Sequence, residues 1–303
     1  MFIRRKVIVG SRGSSLALRQ TECVVEQLRD LHPECEFVIK KIKTEGDRFT
    51  TTPLASMAGR GVFVKEIEAA LIAGEIDIAV HSLKDLPSQL TKGLVLAAIP
   101  QREDPRDVLV SRHNCGLMEL PYAAKVGTSS PRRAVQILAV RPDVQLVELR
   151  GNVDTRLRKA QTPAYDAVVL AAAGLHRLGL ADRITQYLPL DVCLPSPGQG
   201  ALAIETREDD QYVTSLAAPL DDPNTRIAVT AERALVERLG GGCQVAIGAY
   251  AEVNGDTLRL HAAVLAADGK RLLREMTTGS KVEPTAVAER MASMILTHRL
   301  AGS

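Results

Sequence analysis

The 303-residue chain has no tryptophan, and aromatic residues make up only 3% of it, so its core must be built from aliphatic side chains. It has no C-x-x-C pair, and its five cysteines (Cys23, Cys35, Cys115, Cys193 and Cys243) are an odd number. This argues against a disulfide framework or a cysteine-rich zinc site and fits a reducing compartment, so a cytoplasmic location and no bound metal are expected. The longest apolar stretch, Ala167 to Leu175, falls far short of a membrane span. The apolar residues ahead of Gly10 are too few for the core of a signal peptide, and no membrane association is expected. A formal net charge of +2 gives no case for a nucleic-acid partner, so any positive field must come from local clustering. There is no G-x-x-x-x-G-K-[ST] loop, which disfavours a nucleotide. What remains is ordinary for a globular protein, 46% apolar and 24% charged, long enough for about two domains or three small ones.

Strands and helices alternate through the first two thirds. Val7 to Val9 reads as a buried strand, and Ser15 to Leu31 has helical spacing in Leu16, Val24, Val25 and Leu28. Phe37 to Ile39 is a second strand, Val64 to Ala73 a helix, and Ile76 to Val80 a third strand. Such alternation implies parallel pairing and an α/β class. A second block repeats the order: Val9 to Ala17 (VGSRGSSLA) resembles Val126 to Ala134 (VGTSSPRRA), and Asp77 to Val80 resembles Asp166 to Val169. Two similar lobes flanking a cleft are expected, with Ile99 to Ser111 and Pro195 to Glu205 as crossings between them. The last block differs. A helix over Asp222 to Leu239 ends in glycines, three strands follow (Gln244 to Val253, Thr257 to Leu265, Arg271 to Thr278), and Thr285 to Leu300 closes as a helix. Asn254-Gly255 and Asp268-Gly269 are hairpin signals.

Both Gly-Ser/Thr loops end at a helix start, where free N–H groups and the helix dipole attract anions. Ser14, Thr128 and Ser130 add hydroxyl donors there, although serine and threonine also cap helices routinely. Arginines gather in the same places: Arg12, Arg132, Arg133, Arg150, Arg156 and Arg177. Singly each reads as a solvated charge. Together, at strand ends and first helical turns, they point to a ligand with several carboxylates or phosphates. Ala79 to Pro87 (AVHSLKDLP) puts His81, Ser82, Lys84 and Asp85 after the third strand, making Asp85 a candidate acid or cation stabiliser and His81 a structural hydrogen-bonding residue. Cys243 lies in Leu239 to Gly248 (LGGGCQVAIG), after a helix C-terminus that disfavours a thiolate and with no histidine nearby. The residues alone leave two readings of it standing: a buried structural thiol, or a tether whose glycines leave room for a bulky group.

Eight ordered motifs are spread along the chain from Gly10 to Ala251: GSRGSSLALRQ, GRGVFVKEIEAAL, AVHSLKDLP, VGTSSPRRA, LRGNVDTRL, LAAAGLHRLG, PSPGQGALAIE and GGCQVAIGAYA. They resemble the porphobilinogen deaminases, also called hydroxymethylbilane synthases. The resemblance implies an α/β protein with two periplasmic-binding-protein-like lobes and a small α+β C-terminal domain carrying a three-stranded antiparallel sheet. With the two crossings, this divides the chain into a first lobe of residues 1–100 and 200–218, a second of 105–194 and a C-terminal domain of 222–303. It implies a transferase of haem biosynthesis that joins four porphobilinogen molecules head to tail, losing ammonia each time, and hydrolyses off the linear tetrapyrrole hydroxymethylbilane.

By motif position the resemblance makes Cys243 the thioether attachment point of a dipyrromethane cofactor and Asp85 the catalytic carboxylate. Arg12, Arg132, Arg133, Arg150, Arg156 and Arg177 match ligands of the cofactor and growing chain, with Ser14, Lys84, Thr128 and Ser130 as supporting contacts. The expected partners are porphobilinogen and the growing polypyrrole, and the protein is expected to be a monomer. The chain departs from the family at Ser56 and Arg60, where lysines are common, so no contact is carried over for the lid segment Thr44 to Arg60. Ala246 and Ala249 replace a common proline and serine. Two rival readings are a non-enzymatic two-lobed anion-binding module and a transferase using Cys243 as nucleophile.

Overall fold

The computed structural model describes residues 5–44, 64–240, 246–266 and 271–300. Cys243, residues 45–60 of the lid segment and Asp268-Gly269 lie outside them. The chain divides into two compact units, Met1–Arg102 with Ala201–Arg226, and Glu103–Gly200 with Ile227–Ser303.

The first unit opens with β1 (Arg5–Arg12), α1 (Ser15–Leu31) and β2 (Cys35–Ile42), followed by α2 (Lys65–Ile72), β3 (Ile78–Ser82) and β4 (Leu94–Ala98). The start of α1 is set by Ser14, whose side chain accepts a hydrogen bond from the Ala17 N–H at 3.3 Å and so satisfies one of the free donors of the first turn. β1 pairs in parallel with β2 and β3. The core is aliphatic apart from Phe37: Val7, Val9, Val24, Val25, Leu28, Ile78, Val80 and Ile204 form one cluster.

The second unit continues with β5 (Asp107–Ser111), β6 (Lys125–Gly127), α3 (Pro131–Val140), β7 (Gln145–Val147), α4 (Val153–Ala160), β8 (Ala167–Ala171), α5 (Ala172–Arg177) and β9 (Gln186–Tyr187). The chain then returns to the first unit for β10 (Leu202–Arg207) and α6 (Gln211–Ala217). Both five-stranded sheets have the same plan. The first runs β2-β1-β3-β10-β4 and the second β7-β6-β8-β5-β9. In each, three parallel strands are followed by an antiparallel strand, β10 or β5, which is the first strand after a crossing. The repeated Val-Gly pair belongs to this plan. A Cβ on Gly10 would collide with the tip of the Ile76 side chain, and one on Gly127 would sit 2.8 Å from the Tyr165 ring, so in β1 and β6 glycine stands where a neighbouring side chain packs against the backbone.

The remaining elements are α7 (Pro223–Arg238), β11 (Ile247–Asn254), β12 (Thr257–Leu265), β13 (Leu272–Ser280) and α8 (Pro284–Leu300). Gly240, at φ +66°, provides the left-handed residue that ends α7. The three strands form an antiparallel sheet β11-β12-β13, with Asn254 paired to Thr257 across a two-residue turn. Ala231 and Leu235 of α7 and Val287, Met291 and Ile295 of α8 share a core with Leu258 and Leu260, while Met294 is only half-buried. Within the second unit, buried Glu232 of α7 accepts from the Gly198 N–H at 2.7 Å and the Ala251 N–H at 2.8 Å, tying the segment before β10 to β11. Among the described residues, no helix is long and apolar enough to cross a membrane.

Candidate functional site

In the first unit, the carboxyl ends of the neighbouring parallel strands β1 and β3 carry the residues of interest. Arg12 is the last residue of β1, and Ser14 caps α1 just beyond it. β3 extends two residues past its expected end, because β10 pairs with it through Ala203 opposite His81 and Leu202 opposite Ser82. His81 and Ser82 are therefore strand residues rather than loop residues. Ser82 Oγ lies 2.9 Å from Gln20 Nε2 and 3.1 Å from its Oε1. A single 3-10 turn, Leu83–Asp85, follows. Leu83 is buried and its N–H donates to the Ala201 carbonyl at 3.0 Å, and the Leu86 N–H closes the turn on the Leu83 carbonyl at 3.1 Å. With Leu83 turned inward, Lys84 is half-buried and Asp85 exposed.

In the second unit, the loops leaving β6 and β7 hold a row of donors. The Thr128 N–H donates to the Val147 carbonyl at 2.9 Å, its hydroxyl accepts from the Ser130 N–H at 3.1 Å, and Ser130 caps α3. Ser129 escaped the sequence reading. Its hydroxyl donates to the Leu149 carbonyl at 2.8 Å and accepts from the Leu149 N–H at 3.1 Å, fixing the two loops to each other. Asn152 caps α4 through the Thr155 N–H at 3.0 Å. Arg150 pairs with Glu148, Arg156 Nε donates to the Gly151 carbonyl at 2.8 Å, and Arg177, the last residue of α5, donates to the Gly200 carbonyl at 2.7 Å.

Arg132 and Arg133 stand in the first turn of α3, but their side chains turn inward and are not solvated. Each residue is 6% exposed and both engage Asp107, which is 0% exposed. Arg132 reaches Asp107 Oδ2 at 2.6 Å, and Arg133 reaches Oδ1 at 2.7 Å through one terminal nitrogen and 3.1 Å through Nε. Gln199 donates to the same Oδ1 at 2.9 Å, and Cys193 Sγ lies 3.3 Å from Oδ2. Burial alone would push the Asp107 carboxyl up, but the two guanidinium charges outweigh it and hold it far below the usual carboxylate range. Burial, and then the Asp107 charge, push the Cys193 thiol up to about 12, so it behaves as an inert packing group. Nothing local in the sequence signals the Asp107 contact, since its partners lie 25 and 26 residues away.

Within each unit taken by itself, donors near the carboxyl ends of the parallel strands, Arg12 and Ser14 in the first and Thr128, Ser130 and Arg150 in the second, suit carboxylate groups. Among the described residues no cluster of histidine, cysteine and carboxylate side chains could hold a metal ion. A group such as a dipyrromethane, whose rings carry carboxylate side chains, fits these residues.

The family model described as "Porphobilinogen deaminase, dipyromethane cofactor binding domain" matches residues 7–215, and that described as "Porphobilinogen deaminase, C-terminal domain" matches residues 226–297. The chain belongs to the porphobilinogen deaminase family. It is 50% identical over 292 residues to the porphobilinogen deaminase of Geobacillus kaustophilus, covering 96% of this chain and 94% of the relative. It is also 50% identical over 294 residues to that of Roseiflexus sp., covering 97% of each. Porphobilinogen deaminase is a transferase, hydroxymethylbilane synthase, of tetrapyrrole biosynthesis, and residues 7–215 form its dipyrromethane-binding domain. Among solved structures, the BenM effector binding domain with its effector benzoate is 13% identical, with a TM-score of 0.43 over 72% of this chain and 91% of that one, a likeness too slight to bear on function.

Proposed function

We propose that this porphobilinogen deaminase joins four molecules of porphobilinogen head to tail, with loss of one ammonia at each step, and then hydrolyses off the linear tetrapyrrole hydroxymethylbilane. The placement of Asp85 carries the proposal: an exposed carboxylate on a one-turn helix whose base, Leu83, is buried. Loss of the aminomethyl nitrogen from porphobilinogen leaves an electron-deficient methylene carbon, and a fixed carboxylate beside it stabilises the developing positive charge. Asp85 also moves protons, delivering one to the departing amine and taking one from the ring carbon that forms the new bond. When bound, the dipyrromethane supplies the free pyrrole position to which the first unit is joined, and Cys243 holds it as a thioether.

Arg12, Arg150, Arg156 and Arg177 bind the acetate and propionate groups, with Ser14, Lys84, Thr128 and Ser130 adding hydrogen bonds. Arg132 and Arg133, which besides Asp107 already donate to the Leu194 and Val169 carbonyls, join this set only through the N–H groups that those bonds leave. The proposed domains are residues 1–100 with 200–218, 105–194, and 222–303, a partition supported by the three separate sheets. The protein is proposed to act as a cytoplasmic monomer, the location in keeping with its odd cysteine count.

Intact mass of the purified protein beside Cys243→Ser tests the reading. The wild type, as isolated or after incubation with porphobilinogen, is expected to be heavier than its sequence by two linked pyrrole units, and the variant is not. An anion-binding module would gain no adduct in either form. A transferase using Cys243 as a transient nucleophile would lose turnover in the variant without ever having carried the stable adduct.

A further inference from the structure

Behind the Asp85 turn, β3 and β10 bury two ionisable side chains against each other. His81 is 5% exposed and Glu205 0%, with His81 Nε2 3.0 Å from Glu205 Oε2. Ala203 is directly opposite His81, which makes Glu205, two residues along β10, its diagonal neighbour on the same face. The other carboxylate oxygen, Glu205 Oε1, is buried with no hydrogen-bond partner among the described residues. Glu68 of α2 adds a third buried group. Its Oε2 accepts from the Thr91 hydroxyl at 2.7 Å, and its Oε1 is likewise buried without a partner among the described residues. Burial pushes the Glu68 carboxyl up, the Thr91 hydroxyl opposes this, Glu205 adds to the rise and His81 counters it, so the three groups interact. Buried carboxylates with unfilled acceptor positions are costly, and each one in a native structure calls for a reason. Packing supplies none here, because an aliphatic side chain would fill the same space without that cost.

We infer that His81 and Glu205 are positioning residues that hold the Asp85 turn in place, so that β10 is the support against which Asp85 acts. β10 and the residue before it grip the end of β3 at two points. Glu205 fixes the imidazole of His81, and the Ala201 carbonyl accepts from the Leu83 N–H two residues further on. The Ser82 hydroxyl between them is held by Gln20 of α1. Asp85 is two residues past the second grip, so any slack at His81 passes directly to its carboxylate. A carboxylate that stabilises charge in the transition state loses effect steeply when misplaced, and a shift of about 1 Å can cost on the order of 10²-fold. Substrate binding does not draw on that charge and is spared.

The inference rests on the reading of Asp85 as the carboxylate at the reacting carbon. It is tested on the dipyrromethane-loaded holoenzyme with Glu205→Gln, which preserves shape but replaces a charge-assisted hydrogen bond with a weaker one. The expected result is a fall in kcat of about tenfold, with KM for porphobilinogen within about twofold of wild type and cofactor loading unchanged by mass. In an Asp85→Glu background the same substitution is expected to add less than about twofold, because the pair acts through residue 85. Wild-type kcat in Glu205→Gln, or a loss that adds in full on Asp85→Glu, overturns the inference. If Glu205→Gln does not fold, His81→Gln, whose amide can still reach Glu205, is read in the same way. If the wild-type protein itself leaves porphobilinogen unconsumed, the functional reading of Asp85 fails instead.

Discussion

The two five-stranded sheets share a strand order, and in each the antiparallel strand that follows a crossing buries a carboxylate, yet the two carboxylates are treated in opposite ways. Asp107 at the start of β5 receives Arg132, Arg133 and Gln199, and both its oxygens are occupied. Glu205 in β10 receives only His81 on one oxygen, and its other oxygen has no partner among the described residues. Asp107 neutralises two arginines that would otherwise be buried charges, so it anchors the loop from which Thr128 and Ser130 project. Glu205 sits in an incompletely satisfied cluster behind the turn that presents Asp85. The same strand plan thus supports a fully satisfied ion cluster in one sheet and a costlier, half-satisfied one in the other.

The sharpest way to break this contrast is at the working end of the first unit. Asp85→Asn is expected to leave the unfolding midpoint nearly unchanged and to lower porphobilinogen turnover by at least about 10²-fold, measured as substrate consumption by the loaded enzyme. Near-normal turnover would remove Asp85 from its role. Next in size is Asp107→Asn, which strands two buried guanidinium groups and is expected to cost about 3–5 kcal/mol in denaturant unfolding. Glu205→Gln, by contrast, is expected to cost about 1 kcal/mol or less, because the carboxylate it replaces was only half satisfied. Equal losses at the two positions would erase the distinction. Ser129→Ala removes both hydrogen bonds to Leu149 and is expected to cost about 1–2 kcal/mol, and to raise KM for porphobilinogen more than it lowers kcat.

The smallest expected effect is in the pH dependence of stability, where one buried carboxyl in each unit contributes with opposite slope. The Asp107 carboxyl is depressed in the folded protein, so its contribution is present above its unfolded pKa of about 4 and is lost as pH falls below that value. The Glu68 carboxyl is raised, so its contribution is present below its unfolded pKa and is lost as pH rises through its folded one. Asp107→Asn should flatten the acid limb of the stability profile, and Glu68→Gln the decline on the other side. Unfolding curves taken across pH would show an exchange of these effects if either assignment were reversed.

What could be read from the sequence was whatever depends on neighbours along the chain. Ser14 and Ser130 sit where their hydroxyls cap α1 and α3, Gly240 ends α7, and Gly255 makes the β11-β12 turn. The alternation of elements and the repeated Val-Gly pair pointed to two like sheets, and the steric reason for the glycines became visible only with Ile76 and Tyr165 in place. What stayed hidden depends on distant pairing. His81 and Ser82 looked like loop residues because the strand that extends β3 over them arrives about 120 residues later, as the register of β10 shows. Arg132 and Arg133 read as members of an anion-binding set, and their burial against Asp107 stayed hidden because Asp107 lies on what looked like a crossing segment. Ser129, flanked by two hydroxyl residues with more obvious roles, carried no signal of its own for the brace it makes to Leu149.

The return of the chain to its first unit has a consequence for synthesis. Ala201 and β10 emerge from the ribosome after the whole of residues 103–200, yet β10 is an interior strand of the first sheet, between β3 and β4. A nascent chain that ends before residue 201 has neither the carbonyl that pins Leu83 nor the carboxylate that grips His81. The turn bearing Asp85 is therefore expected to gain these two contacts only after residues 103–200 have been translated.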